Sequence, residues 1–141
     1  MNIYYNWDEE TGKTSYVIED KKAVGVGYST CHPDDKDVLS SHTGGYIAEL
    51  RAKINYLQNY KNSYVKPGLS ALKHVYATMC HSNEFNQHSY EAKRIRKEIK
   101  NREKEINEIN CKIENARITV KEYIDDKDKM AKYYRSKAGR N

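Results

Sequence analysis

The chain has 141 residues, room for one hydrophobic core, and Leu, Ile, Val and Phe together supply only 24 of them. So low a share brings disorder into play, yet the net charge is only +5 and the Ile residues recur at helical intervals, so the chain is expected to fold and to complete its core against a partner. No apolar run reaches the ~20 residues of a membrane span, and the opening MNIYYNWDEE is acidic where a secretory leader is basic, so the expectation is a soluble, cytoplasmic protein.

Residues 1–38 read as an antiparallel β region. Ile3–Trp7 and Thr14–Ile18 are short β-rich runs separated by a turn that contains Gly12, and together they predict a hairpin. A third run, Ala23–Tyr28, alternates apolar residues with glycines, and glycine within a strand marks a close approach by another backbone or a ligand, or a bulge. Its continuation, Ser29-Thr30-Cys31-His32-Pro33-Asp34-Asp35, reads as a turn.

Residues 39–80 read as helical. Hydroxyl side chains at Ser40, Ser41 and Thr43 cap a helix whose apolar positions Ile47, Leu50, Ile54, Leu57 and Tyr64 step by threes and fours, with Lys61 filling one step. Pro67-Gly68 predicts a break, after which Leu69, Leu72, Tyr76 and Met79 resume the stripe. Residues 81–90 are polar around Phe85 and read as a loop.

Residues 91–137 read as one long helix. Ile95, Ile99, Arg102, Ile106, Ile109, Ile113, Ala116, Val120, Tyr123, Lys127, Met130 and Tyr134 keep a strict 4,3 alternation, the pattern of a coiled-coil seam. Forty such residues span roughly 60 Å at 1.5 Å each, too long for a chain this size to cover alone. The fold class is therefore α+β, a single structural domain in which an N-terminal antiparallel sheet is followed by long helices that form an intermolecular coiled-coil assembly.

Charge separates along the chain. Residues 1–40 hold 4 Lys or Arg against 8 Asp or Glu, whereas residues 86–141 hold 16 against 10. A solvated Lys/Glu helix surface is the ordinary explanation, and an anionic ligand beside the basic half is the functional one. Tyr makes up 13 of the 15 aromatics, a bias toward half-wet surfaces such as interfaces and ligand clefts.

Catalysis finds little footing. Asp34-Asp35 is an acidic pair within a turn, no nucleophile stands at an interpretable spacing from a base, and neither a Walker loop nor a GxGxxG motif occurs. No enzyme activity and no cofactor are expected. Cys31-His32 and Cys80-His81 have poor spacing for zinc, so no metal is expected, and Cys31, Cys80 and Cys111 read as reduced thiols. Arg94, Arg96, Lys97, Lys100 and Arg102 resemble a basic region ahead of a coiled coil, but Glu91, Glu98, Glu103 and Glu105 dilute it, so DNA is not an expected partner.

Capture of a small anion draws on three features. The helix start at His42–Gly45, with Thr43, offers backbone N–H groups; Arg94 and Arg96 suit phosphates; and Phe85, Asn86, His88 and Tyr90 offer a stacking ring and base-edge readers. Each also has a plainer role, Phe85 as an anchor for its loop and the helix start as a cap alone.

The strand Val24–Tyr28, the run Cys31-His32-Pro33-Asp34-Asp35 and the helix opening Gly45-Tyr46-Ile47-Ala48-Glu49-Leu50-Arg51-Ala52 follow a recurring phage pattern. This segment, over roughly residues 14–60, resembles the phage Thoeris anti-defence proteins of the first type. The resemblance implies a small sheet with long helices assembled as a homo-oligomer, a dimer or trimer of dimers. It also implies non-catalytic sequestration, in the host cytoplasm, of a cyclic ADP-ribose isomer, a glycocyclic immune signal made by TIR-domain enzymes, with cyclic oligonucleotides as further ligands. Here Leu39–Thr43 forms a polar insert, and Gly27 stands where a small Ala is common. Pro33 also suits a turn, Asp35 a cap and Arg51 a salt bridge to an Asp. The ligand-binding expectation is Arg94, Arg96, Phe85, Asn86, His88, Tyr90, Thr43 and Arg51, in pockets between protomers. The alternative is an oligomeric coiled-coil module that binds a host or phage protein, or a weak nucleic-acid binder.

Overall fold

The computed structural model describes residues 1–30 and 41–137. Three strands, β1 (Asn2–Asp8), β2 (Lys13–Glu19) and β3 (Val24–Thr30), form an antiparallel sheet in the order β1-β2-β3. Each pairs along its whole length, Asn2 opposite Glu19 and Lys13 opposite Thr30. The hairpin closes where the Asp8 carboxylate accepts the Glu10 N–H (2.9 Å) and Gly12, at φ 71°, donates its N–H to the Asp8 carbonyl (2.8 Å). That φ favours glycine.

Helix α1 (Ser41–Tyr60) lies on β3 and β2 and barely touches β1. Its approach is backbone to backbone. Gly25 and Gly27 on the strand face Ala48 and Ala52 on the helix, both fully buried, and a Cβ on either glycine would overlap the Ala48 or Ala52 carbonyl oxygen. Of the two readings of the glycine strand, a close backbone is therefore the one observed.

The same helix closes the outer edge of β3. Arg51 Nη1 donates to the Tyr28 carbonyl (2.7 Å), Asn55 Oδ1 accepts the Val26 N–H (2.9 Å) and Asn59 Nδ2 donates to the Val24 carbonyl (2.6 Å). Spaced four residues apart, the three side chains occupy the place of a fourth strand. Arg51, suited by sequence to a salt bridge with an Asp, is instead fixed to a carbonyl of the sheet edge.

The helical region is interrupted close to Pro67 but does not turn there. A π-helical turn, Lys61–Val65, leads straight into α2 (Lys66–Cys80), with helical backbone throughout. The Lys66 N–H reaches the Lys61 carbonyl, a five-residue step that widens the helix just ahead of Pro67, whose missing N–H falls at the start of α2. After turns at residues 81–89, α3 (Tyr90–Lys137) runs back along both helices for 48 residues, or ~70 Å. Tyr46 packs edge-on against Tyr123 (4.6 Å), Tyr60 donates to Glu105 (2.9 Å) and Arg96 donates to Tyr76 (3.0 Å), marking an antiparallel helical hairpin.

Val65, Ile109 and Ile113 form the core of that hairpin, with Ile54, Leu57, Tyr60 and Ile106 against them. Every seam position from Ile95 to Met130 is buried or half-buried within the single chain. The partner helix that the seam calls for is supplied along this stretch by α1 and α2, because the chain continues through Pro67 instead of folding away. The polar residues of the pattern are used as well: Arg102 lies over the Tyr64 ring (5.7 Å), Lys127 over Tyr123 (5.3 Å), and Lys61 donates to Asn110 (2.7 Å). Among the described residues no helix is long and apolar enough to cross a membrane.

Candidate functional site

The residues expected to bind an anion fall into two groups at opposite ends of the hairpin. Thr43 and Arg51 sit at the sheet end, level with Tyr123 through Tyr46, whereas Arg94 and Arg96 begin α3 at the other end, roughly 45 Å away by helical rise. Within one chain, no single small ligand touches both groups.

At the loop end the side chains close the turn. Arg96 donates to the Gln87 carbonyl (2.6 Å) and to Tyr76, whose ring meets Phe85 edge-on at 6.0 Å. Asn86 Oδ1 accepts the His88 N–H (2.9 Å), and Ser89 Oγ caps α3 by accepting the Ala92 N–H (3.2 Å). Phe85 is half-buried as an anchor, while His88, Tyr90 and Arg94 are exposed. Cys80 and Cys111 are exposed free thiols. Cys31, His32, Pro33, Asp34 and Asp35 lie outside the described residues.

Toward the sheet end, residues of α1 and α3 line a cleft of about 440 Å³. Its floor is aliphatic, made by Ile54, Val120 and Ile124, and its rim carries Arg51, Arg117 and Lys121 against a single carboxylate, Asp125. Asn55 and Gln58 add amide groups. Arg117, Lys121 and Asp125 follow one another at four-residue spacing on one face of α3, and Arg117 and Lys121 are both exposed. Arg51 reaches this rim with its guanidinium oriented by the Tyr28 carbonyl, one of five N–H donors being used in that bond. Such a cleft accommodates a small, flat, doubly anionic molecule: cations for the phosphates, amides for polar edges, aliphatic carbon for a ring face. Of the sequence-predicted residues, Arg51 alone lines it. Arg117 and Lys121 sit in the basic half the charge tally marked out, but nothing in a Lys-rich helix distinguishes them until α1 is placed opposite.

A second, more polar cleft lies across α1. Asp20, Lys22, Tyr56 and Tyr60 line it, with Asn2 and Glu19. Tyr56 donates its hydroxyl to Asp20, which also accepts the Lys22 N–H (2.8 Å) and the Ala23 N–H (3.0 Å), so helix and β2–β3 turn are tied together. Tyr56 and Tyr60 of α1 and Tyr64 of the π-helical turn stack in succession, and Lys22 lies over Tyr60 (5.7 Å) and Tyr64 (4.9 Å). The Tyr56 hydrogen bond, joined by the Lys22 N–H, holds the Asp20 carboxyl below its ordinary pKa. Burial, reinforced by the hydrogen bond to Asp20, pushes the Tyr56 phenol from 10.0 up to about 12. The Asp20 contribution to stability is present above its unfolded pKa and is lost as pH falls through its lower folded value. The Tyr56 contribution is complete below pH 10.0 and is lost as pH rises toward about 12. Absorbance titration at alkaline pH is expected to show a late-titrating phenol that Tyr56→Phe removes, and the same variant is expected to shift acid unfolding to higher pH. An unchanged titration curve would contradict this assignment.

The fold and site together define an α+β chain in which a sheet-anchored helical hairpin carries a cationic, apolar-floored cleft. No family model, curated protein or solved structure matches the chain.

Proposed function

We propose that the protein captures a small nucleotide-derived signal of the cyclic ADP-ribose class, holds it without chemical change, and thereby inhibits host Thoeris anti-phage defence. The observation that carries this reading is the grouping of Arg51, Arg117 and Lys121 around the aliphatic floor between α1 and α3. A diphosphate satisfies the cations, Asn55 and Gln58 read polar edges of ribose or base, and a purine face lies on Ile54, Val120 and Ile124. Support also comes from the sequence pattern over residues 14–60, which includes Arg51.

The test is retention and release. The purified protein is incubated with signal made by a TIR-domain enzyme, freed of unbound material and heated, and intact ligand is expected in the supernatant. A chemically altered product would make the protein an enzyme. Failure to retain the signal would favour a helical module that binds another protein, and a cyclic oligonucleotide run in parallel tests the second ligand class.

A further inference from the structure

Asn55 belongs to two surfaces at once. It closes the β3 edge, and it lines the cleft between α1 and α3. Gly25 and Gly27 bring α1 so near the strand that this short side chain reaches across, and its Oδ1 accepts the Val26 N–H at 2.9 Å. An asparagine amide can ordinarily turn over to offer a partner either its oxygen or its nitrogen. Here that choice is removed, because a backbone N–H only donates and so requires the oxygen. Asn59 Nδ2 adds a second, longer contact to the same oxygen at 3.4 Å, and is itself held by the Val24 carbonyl at 2.6 Å. The Asn55 Nδ2 group is left with two N–H donors, no hydrogen-bond partner among the described residues, and access to solvent.

We propose, on the reading of this cleft as a nucleotide site, that Asn55 determines which edge of the ligand is accepted. Its Nδ2 donates to a hydrogen-bond acceptor of the base or sugar and rejects an amino group in that place. Arg51 on the same wall likewise presents only N–H groups. The one carboxylate of the lining, Asp125, stands on α3, where it takes a donor of the ligand such as an exocyclic amine or a ribose hydroxyl. Donors on one wall and an acceptor on the other give the cleft a direction that its cations alone do not supply. A diphosphate presents oxygens on every side, so Arg117 and Lys121 would hold it in either sense. Reversing one group in such a site leaves two acceptors facing each other, and binding falls accordingly. Asn59 does not line the cleft and is a positioning residue, acting through the Asn55 oxygen.

Asn55→Asp tests this assignment, because a carboxylate still accepts the Val26 N–H while its second oxygen puts an acceptor where the donor was. Titration calorimetry with the cyclic ADP-ribose isomer made by a TIR-domain enzyme is expected to show a loss of about a hundredfold or more. Gln58→Glu brings the same charge into the same lining on a longer side chain with no hydrogen bond among the described residues, and is expected to stay within about tenfold of the native chain. In ¹⁵N spectra of the native protein, saturation is expected to shift the Asn55 side-chain amide and to leave that of Asn59 nearly unmoved. Equal losses from the two acidic substitutions, or an unmoved Asn55 amide in the saturated protein, overturn the proposal. Ligand-free protein tests the orientation by itself. Hydrogen exchange at the Val26 amide is expected to be equally slow in the native chain and in Asn55→Asp, and about tenfold or more faster in Asn55→Ala. The same rate in all three overturns the fixed amide and the proposal with it. A native chain that binds no isomer, yet shows the expected Val26 exchange, instead removes the reading of the cleft on which the proposal rests.

Discussion

Gly27→Ala is expected to separate α1 from the sheet and to lower stability by ~3 kcal/mol or more, because the added methyl has no flexible neighbour to displace. It would meet the Ala48 carbonyl and the Ala52 backbone, so the helix itself must move. Movement of α1 also breaks the bonds from Arg51, Asn55 and Asn59 that close the β3 edge, and it displaces Arg51 from the cleft. Gly68→Ala is the matched control. A Cβ there meets Arg102 at 3.8 Å, an ordinary contact, and alanine in place of glycine favours a helix by up to ~1 kcal/mol, so this variant is expected to be neutral or stabilised. Thermal melts that rank the two variants in the opposite order would contradict the packing described for the sheet.

Arg117→Ala combined with Lys121→Ala is expected to weaken binding of a cyclic ADP-ribose isomer by about a hundredfold or more, since each charge-assisted hydrogen bond contributes ~1.5–3 kcal/mol and each ~1.4 kcal/mol is tenfold. Neither residue makes an ion pair among the described residues and both are exposed, so stability is expected to change by less than about 0.5 kcal/mol. Arg94→Ala, at the far end of the hairpin, is the control expected to leave affinity unchanged. Titration calorimetry distinguishes the outcomes. An Arg94 effect as large as that of the double variant would return the site to the loop end, where the basic cluster at the start of α3 pointed.

Much of the fold was legible because it rests on short-range periodicity. The β-rich runs Ile3–Trp7 and Thr14–Ile18, with the Gly12 turn between them, located the hairpin to within a residue or two, and the 4,3 repeat from Ile95 located α3. What the repeat did not carry was the origin of the opposing helix. A seam specifies that something apolar packs on it, and α1 with α2 meet that demand once the chain runs on through Pro67. The π-helical turn that makes this passage possible has no sequence mark beyond the proline itself. Val65, wholly buried in that turn, was hidden for the same reason: the five-residue step rotates it into the core in place of Tyr64, which the regular stripe favoured and which is 40% exposed.

The site was legible only in kind. Composition pointed to cations, amides and a half-wet surface, and Arg51 was among the candidates. The others were grouped by chemistry, and chemistry carries no information about which residues share an end of a 48-residue helix. Arg96, selected as a phosphate ligand, donates to the Gln87 carbonyl and the Tyr76 hydroxyl, a role in closing the turn that its place in the sequence did not reveal.

The location of the site is tested most directly by two-dimensional NMR of the ¹⁵N-labelled protein titrated with a cyclic ADP-ribose isomer. Saturable shifts are expected at Arg51, Gln58, Arg117, Lys121 and Asp125, with Phe85–Arg96 unmoved. Shifts confined to Phe85–Arg96, or none at ligand concentrations well above those of the cellular signal, would contradict the account.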